Sequence, residues 1–269
     1  MNEQKINENK EVNDRNVISF LFSHYRTHLI AWTALFLLFE KILWNHPDEN
    51  YRTLVFSFYL IIFIIYVAIA SSRVEDEFWK QFAADHNYVH NKDKNEKENT
   101  SRYCEIGRNR HTFEKVRGAE NGKPIVFSSF LSVVGRNKTE EMISFTLCEL
   151  KLSGNIPPFV VLSKKSEKSF ILDLRTIPDY SKLTLEGDFN KFFSVYTIPG
   201  KEREALEILT PDIMVELIEY SPLFSFEFNK DTVFVYAGKN IAKRAELEKM
   251  RTACLYLAEK LSPVYLSSI

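Results

Sequence analysis

Twenty consecutive residues near the N-terminus, Thr53–Ser72, carry no charged side chain. A helix of roughly 20 apolar residues crosses the hydrocarbon core of a bilayer. The run contains twelve Leu, Ile, Val or Phe residues, and at about −0.3 to −0.6 kcal/mol each they favour insertion by about −4 to −7 kcal/mol. Arg52 and Arg73 flank the run and can reach the headgroups. The pattern predicts a transmembrane helix, with a buried core helix as the alternative.

A shorter apolar run, Leu29–Trp44, precedes Thr53–Ser72 in the chain. Glu40 and Lys41 oppose its insertion, but they lie in its last turns, where their side chains can extend toward water. We expect a second membrane span here. Two alternatives remain open: an amphipathic helix over Asn16–Trp44 that lies flat on the membrane, and a proton-carrying role for Glu40.

The short loop between the two runs, Asn45–Arg52, contains Pro47 and predicts an antiparallel hairpin with both termini on one side. Lys and Arg are enriched on the cytoplasmic side of membrane helices. Their distribution places both termini in the cytoplasm of a multi-pass protein of the cell (inner) membrane. The residues compared are Arg15, Arg26, Arg73 and Lys80 on the terminal side, and Lys41 and Arg52 at the loop.

The segment that follows Thr53–Ser72 is predicted to be a helical stalk. Within Arg73–Val89 the apolar residues Val74, Phe78 and Phe82 recur every four positions, which makes one apolar stripe. The following Asn91–Ser101 has mixed charge and low hydrophobicity, so we interpret it as a polar linker.

From Tyr103 onward the apolar pattern changes to a period of two, which predicts an antiparallel meander. Turns are expected at Gly118–Lys123 and Gly135–Glu140, and Pro157–Pro158 is expected to interrupt the sheet. The predicted strands are His111–Arg117, Pro124–Val134, Met142–Leu152, Phe159–Ser163, Phe170–Leu174 and Phe192–Ile198.

The C-terminal part combines helices with a hairpin. Glu202–Leu209 looks helical, and Thr210-Pro211-Asp212 predicts a helix start with a capping hydroxyl and Pro at the first position. Phe224–Phe228 and Thr232–Tyr236 predict a hairpin closed by Asn229–Asp231. The last helix, Asn240–Leu261, has an apolar seam that serves either the core or self-association. The seam residues are Leu247, Met250, Cys254, Leu257 and Leu261.

Composition and charge narrow the class of protein. The formal net charge of −1 over 269 residues gives no indication of nucleic-acid binding. Cys104, Cys148 and Cys254 are widely separated and include no C-x-x-C pair, which predicts reduced, buried thiols and a reducing compartment.

The predicted fold class is α+β, with an N-terminal transmembrane helical hairpin followed by a soluble antiparallel-sheet domain with two or three helices. We expect residues 1–16 to be a disordered N-terminus without signal-peptide features, and residues 17–72 to be the hairpin. Residues 73–101 are expected to be a juxtamembrane helix and polar linker, and residues 102–269 the soluble domain.

Candidate chemistry is weak throughout. Gly118–Pro124 superficially resembles a phosphate loop, but it is one residue short between the glycines and ends in Pro, so we interpret it as a turn. His86 and His90 could form one edge of a metal site, and Cys104 and His111 a nucleophile and base, but each pair lacks a third group. The sequence therefore predicts no catalytic, cofactor-binding or metal-binding residues.

The segment Leu185–Phe193 (LEGDFNKFF), followed by Ala205–Leu217 (ALEILTPDIMVEL), resembles a signature of uncharacterised bacterial membrane proteins. These proteins carry a C-terminal domain of unknown function after two N-terminal spans. The stalk segment Phe78–Ala83 is also similar. The resemblance implies membrane attachment and a cytoplasmic domain, and it implies no catalytic residues.

Our leading hypothesis is a non-enzymatic binding or scaffold domain tethered to the membrane. Its expected partners are the lipid bilayer and either another membrane protein or a second copy of the chain, with no nucleic acid. Phe189, Asn190 and Lys191, together with exposed strand edges, are the expected partner contacts.

Two alternative functions remain open. One is a hydrolase or transferase acting on a membrane-associated substrate, which a deep polar pocket gathering Glu186, Asp188 or His111 would support. The other is an accessory subunit of a larger membrane complex, in which Glu40 and Lys41 would pair with another chain.

Overall fold

A computed structural model describes residues 49–91, 101–105, 107–135, 140–167, 180–185 and 187–261, with five further positions between residues 34 and 41. The chain divides into two compact units, Met1–Gln81 and Phe82–Ile269. The predicted N-terminal segment 1–16, most of the polar linker and the predicted strand Phe170–Leu174 lie outside these residues.

A single helix, α1, runs over 37 residues from Glu49 to Asp85. It contains the predicted span Thr53–Ser72 and continues into the predicted stalk. The hydroxyls of Ser57 and Ser71 each donate to a carbonyl four residues earlier at 2.8 Å, which satisfies both groups within the helix. The helix ends four residues before the predicted Val89, and Asn87 has a positive φ of 56°.

The predicted stripe Val74, Phe78 and Phe82 is confirmed as buried, with 2%, 1% and 0% of each residue exposed. The other predicted span, Leu29–Trp44, lies largely outside the described residues, and the five positions described within it are helical. Among these, Phe36 has its ring centroid 5.1 Å from that of Tyr59 in α1.

Seven strands of the described residues form one antiparallel sheet in the order β1-β2-β3-β4-β6-β5, with β7 paired to β4. The α+β class predicted for this part is confirmed. The strands are β1 Val89–His90, β2 Arg108–Glu120, β3 Lys123–Val134, β4 Glu141–Ser163, β5 Ser181–Leu183, β6 Phe193–Thr197 and β7 Phe224–Ala237.

The predicted meander holds for β2, β3 and β4 and then ends. A two-residue turn at Asn121 and Gly122, with φ of 50° and 77°, closes the β2–β3 hairpin within the predicted turn. The later strands are not added in chain order, because β6 and β7 both return to pair with β4. Leu150 of β4 faces Ile125 of β3 on one edge and Val233 of β7 on the other, so β4 is a central strand.

Two predicted breaks are wrong. Pro157–Pro158 does not interrupt the sheet, because β4 is one strand of 23 residues. The register between β4 and β7 shifts between Lys151 and Phe159, so the prolines lie where the ladder is irregular and a missing N–H is tolerated. Asn229–Asp231 likewise closes no hairpin, since both halves of β7 pair with β4 and Lys230 has a φ of 56°.

The irregularity changes which residues face each side of the sheet. Before it, Phe145 and Leu147 of β4 belong to one core cluster, and after it Val160 and Leu162 belong to the same cluster. The side chains that face this cluster therefore belong to odd-numbered residues of β4 before the irregularity and to even-numbered residues after it. The other buried members are Cys104, Phe130, Phe234 and Tyr236.

The helices of this unit are short except for the last. They are α2 Lys164–Glu167, α3 Phe189–Phe192, α4 Glu202–Ile208, α5 Pro211–Tyr220 and α6 Arg244–Lys260. The start of α5 at Pro211 is confirmed, but the hydroxyl of Thr210 makes no capping hydrogen bond, so that part of the prediction is wrong. All five residues of the predicted seam are buried, which confirms the core interpretation for α6.

We expect Gly118→Ala to destabilise the protein by about 1–3 kcal/mol, because a Cβ there would overlap the ring of buried Tyr88. The measurement is denaturant unfolding of the full chain in detergent. Gly154→Ala is the matched control, since a Cβ at Gly154 in β4 meets nothing within 4 Å. Equal unfolding midpoints for the two variants would contradict the packing of Tyr88 against Gly118.

Candidate functional site

The most prominent surface feature is the apolar part of α1. Of the described residues, one helix is long and apolar enough to cross a membrane, and only 6% of its most apolar window is buried. Soluble proteins rarely expose a contiguous apolar surface of this kind. The exposed large side chains are Leu54, Phe56, Phe58, Leu60, Ile61, Phe63, Ile64, Ile65 and Ile69.

One face of this segment carries an open groove with a polar edge. Asn50, Thr53 and Ser57 provide the polar atoms, and Ser57 already donates to the Thr53 carbonyl. Leu54, Phe58 and Ile61 provide the apolar side of the groove. Small polar residues on one face of a membrane helix allow another helix to approach closely.

The last turn of α1, Phe82–Asp85, is fixed by one arginine of α6. The guanidinium of Arg244 lies 4.5 Å from the centroid of the Phe82 ring, within cation–π range. Its Nη2 is 2.9 Å from a carboxylate oxygen of Asp85, and its Nε donates to Glu248 at 2.9 Å. The arginine therefore joins the end of α1 to the last helix through both charge and ring contact.

His86 joins the same group. Its Nε2 lies 2.9 Å from an oxygen of Glu248, and its ring lies 5.0 Å from that of Phe82. His90 lies in β1, in the short strand after the helix. Within the described residues no group of three or more His, Cys, Asp or Glu side chains could hold a metal ion.

A second ion pair lies close by, at the end of β2. Arg251 of α6 donates through Nε to Glu120 at 2.8 Å and to the Tyr88 hydroxyl at 3.0 Å, and that hydroxyl also donates to Glu120. Burial alone raises the pKa of the Glu120 carboxyl, but the hydrogen bonds from Tyr88 and Arg251 outweigh it and lower the pKa. Burial and then Glu120 raise the pKa of Tyr88.

Among the described Asp, Glu, Lys and Arg residues, the most deeply buried is Glu227 of β7, which is 0% exposed. Its Oε2 accepts hydrogen bonds from Ser101 at 2.9 Å and from Tyr236 at 2.5 Å. Burial and the charge of Glu227 raise the pKa of the neighbouring Cys104 thiol, which keeps the thiol protonated and weakly nucleophilic. The sequence signal that was missed is a lone acid in the apolar strand Phe224–Phe228.

The other residues named above for acid–base chemistry are His111, Asp188 and Glu186. His111 is half-buried in β2, and its ring stacks on Phe113 with centroids 6.0 Å apart. Asp188 is exposed and pairs with Lys191 at 2.7 Å. Glu186 lies outside the described residues.

The predicted partner contacts differ in exposure. Phe189 is 3% exposed and belongs to the core. The amide of half-buried Asn190 is hydrogen bonded to the Leu185 backbone. Lys191 is 70% exposed in its side chain, so it is the residue of the three with a side chain placed to contact a partner. A partner contact at this segment stays a prediction.

We expect Arg251→Met to lower the free energy of unfolding by about 1–3 kcal/mol at pH 7, because the half-buried Glu120 carboxylate loses its charged donor. The pKa of Glu120 is lowered from 4.5 in the fold. Its stabilisation is therefore present above pH 4.5 and is lost as the pH falls through the lowered pKa. The difference between the variant and the parent chain should shrink toward pH 3 in denaturant unfolding.

Arg203→Met is the matched control, since the side chains of Arg203 and Glu207 are 91% and 57% exposed. An exposed ion pair of this kind is worth roughly 0–1 kcal/mol. The stabilising role assigned to the Glu120 pair would be contradicted if Arg251→Met lowered the free energy of unfolding no more than Arg203→Met does. It would also be contradicted if the effect of Arg251→Met were unchanged at pH 3.

No protein-family model matches the sequence, and no curated protein matches it. A solved structure, that of the mycobacterial trehalose monomycolate transport factor A, TtfA, is similar to part of the chain with 12% sequence identity and a TM-score of 0.46. The alignment covers 69% of this chain and 93% of that one.

Proposed function

We propose that this chain is a membrane-anchored, non-catalytic binding or scaffold protein, with α1 as a transmembrane helix and the sheet-containing unit at the cytoplasmic face. The observation that carries the proposal is the exposure of nine large apolar side chains on a helix segment without charges. In water this surface would drive aggregation, whereas in a bilayer the twelve Leu, Ile, Val and Phe residues of Thr53–Ser72 contribute about −4 to −7 kcal/mol to insertion. The low burial of the segment speaks against a core helix of a soluble domain.

Ring contacts within the first unit support a two-span hairpin. Phe36, in the first predicted span, has its ring centroid 6.3 Å from that of Phe56 and 5.1 Å from that of Tyr59. Both partners lie in α1, so the ring of Phe36 contacts that helix. A hairpin places both termini on one side, and the positive-inside bias favours the cytoplasm for that side. Three free, buried cysteines fit a reducing compartment.

The titratable clusters support a non-catalytic role. A general acid or base works best with a pKa near the operating pH. In the described residues the pKa values of Tyr88, Cys104 and Tyr236 are raised from already alkaline values, and that of Glu120 is lowered from an already acidic one. Each shift moves the group away from neutral pH and toward a fixed, hydrogen-bonded state, which suits stability and not proton transfer.

The groove on α1 supports a partner within the membrane. Thr53 and Ser57 of its polar edge lie within the predicted span and would face lipid if the helix had no neighbour on that side, whereas Asn50 lies in the predicted loop. Contact with another transmembrane helix, from another membrane protein or a second copy of the chain, would shield these groups. This groove therefore favours binding to another transmembrane helix, as in the alternative in which the chain is an accessory subunit of a larger membrane complex.

We expect the double variant Ile61→Arg and Ile64→Arg to lower membrane integration strongly, because two arginines near the centre of the span cost about 5–7 kcal/mol and offset the gain from inserting α1. The measurement is the fraction retained in membranes after alkaline carbonate washing. Ile61→Leu with Ile64→Leu is the control and should remain integrated. An unmodified chain that stays in the aqueous phase as a monomer without detergent would overturn the proposal.

We expect a photo-crosslinking residue at Lys191 to give an adduct of one reproducible mass in membranes, because this side chain is exposed on the segment predicted to bind a partner. The same probe at Arg203, which is also exposed, is the matched control. Adducts are compared by gel mobility and mass spectrometry. Identical adducts from the probes at positions 191 and 203 would count against a partner at this segment. The absence of any adduct from the probe at position 191 would do the same.

A further inference from the structure

Two cysteines that are distant in sequence meet in the core. Cys148 of β4 and Cys254 of α6 are 106 residues apart, and their Sγ atoms lie 2.9 Å from each other. Both residues are 0% exposed and both thiols are free. The covalent S–S bond is about 2.05 Å long, so a movement of about 0.9 Å separates this contact from a bond.

Packing holds each sulfur in place. Cys148 is in the central strand of the sheet, opposite Phe127 of β3 on one edge and Val235 of β7 on the other. Cys254 lies on the buried face of α6 between Met250 and Leu257, which are both 0% exposed. Because the strand and the helix are fixed by different neighbours, the contact between the sulfurs results from the tertiary fold.

The third cysteine faces the other side of the sheet. Cys104 belongs to the core cluster that contains Leu147, and successive residues of a strand point to opposite faces. Cys148 therefore points away from the cluster that holds Cys104. The chain thus carries one matched pair of thiols and one separate thiol.

We propose that Cys148 and Cys254 form a reversible intramolecular disulfide by exchange with a low-molecular-weight disulfide such as oxidised glutathione. One cysteine thiolate attacks the glutathione disulfide and releases the first glutathione thiol. The second cysteine thiolate then attacks the mixed disulfide and releases the other. One S–S bond breaks, one forms, and the two cysteine protons end on the two glutathione sulfurs. This inference does not depend on the proposed function.

The burial of the pair sets how the exchange proceeds. Burial, with Cys254 next, raises the pKa of the Cys148 thiol well above its ordinary value. The reactive thiolate is therefore scarce in the closed fold, and exchange requires α6 to open from the sheet. Exchange is therefore expected to be slow. Once the bond has formed, the same burial protects it from reduction.

The bond would act on the helix that holds the end of α1. Arg244, Glu248 and Arg251 of α6 make the contacts to Asp85, His86 and Tyr88. A covalent link from Cys254 to the central strand would keep α6, and with it these contacts, against the sheet. Oxidation would therefore reduce local opening at this junction.

The test is the redox equilibrium of the full chain in detergent. Reduced and pre-oxidised chains are equilibrated in graded mixtures of glutathione and its disulfide, at a urea concentration below the unfolding midpoint and again in 6 M guanidinium. Alkylation and mass spectrometry identify the paired cysteines. We expect the folded chain to form the Cys148–Cys254 bond at a ratio of oxidised to reduced glutathione at least roughly 100-fold lower than the unfolded chain requires. The reason is that the unfolded chain must close a long loop to form the same bond.

Variants separate this pair from general thiol oxidation. Cys104→Ala should keep the bond, and Cys254→Ala should leave Cys148 reduced at the same glutathione ratio. The thermal midpoint of the oxidised parent chain should rise by roughly 5–15 °C, with no rise in Cys254→Ala. Equal glutathione ratios for the folded and unfolded chains, or pairing of either residue with Cys104, would overturn the proposal.

Discussion

The backbone of β4 must find hydrogen-bond partners on both edges, and the sheet is arranged around this requirement. β3 and β6 pair with one edge, while β7 follows the other edge along both halves of the strand. Both faces are covered as well, so runs such as Phe145–Cys148 and Phe159–Leu162 are buried at every position. A central strand with covered faces explains why these runs are apolar without clear alternation.

Two carboxylates inside this framework accept hydrogen bonds from groups that are distant in sequence. Glu227 depends on Ser101, 126 residues earlier, and Glu120 depends on Arg251, 131 residues later. A buried carboxylate without such donors would cost several kcal/mol. The lowered pKa of Glu120 shows that its hydrogen-bond donors outweigh the effect of burial on this carboxylate.

The helix α1 contains two kinds of sequence for two kinds of surroundings. Thr53–Ser72 exposes large apolar side chains and has no charge, as lipid requires. The last turn, Phe82–Asp85, instead presents an aromatic ring and a carboxylate to Arg244. The change from uncharged to charged residues at Arg73 marks where lipid would give way to water.

The sequence by itself determined the features that depend on neighbouring residues: the apolar helix, the β2–β3 turn, the start of α5 and the buried face of α6. Periodicity and turn chemistry act within a few residues, so they can be read directly. Only the tertiary structure decided that Pro157–Pro158 and Asn229–Asp231 lie within strands, because β4 and β7 supply each other's partners. The same holds for the burial of Glu227 and the meeting of Cys148 with Cys254, since contacts between residues far apart in the chain arise from strand pairing and packing that no local pattern encodes.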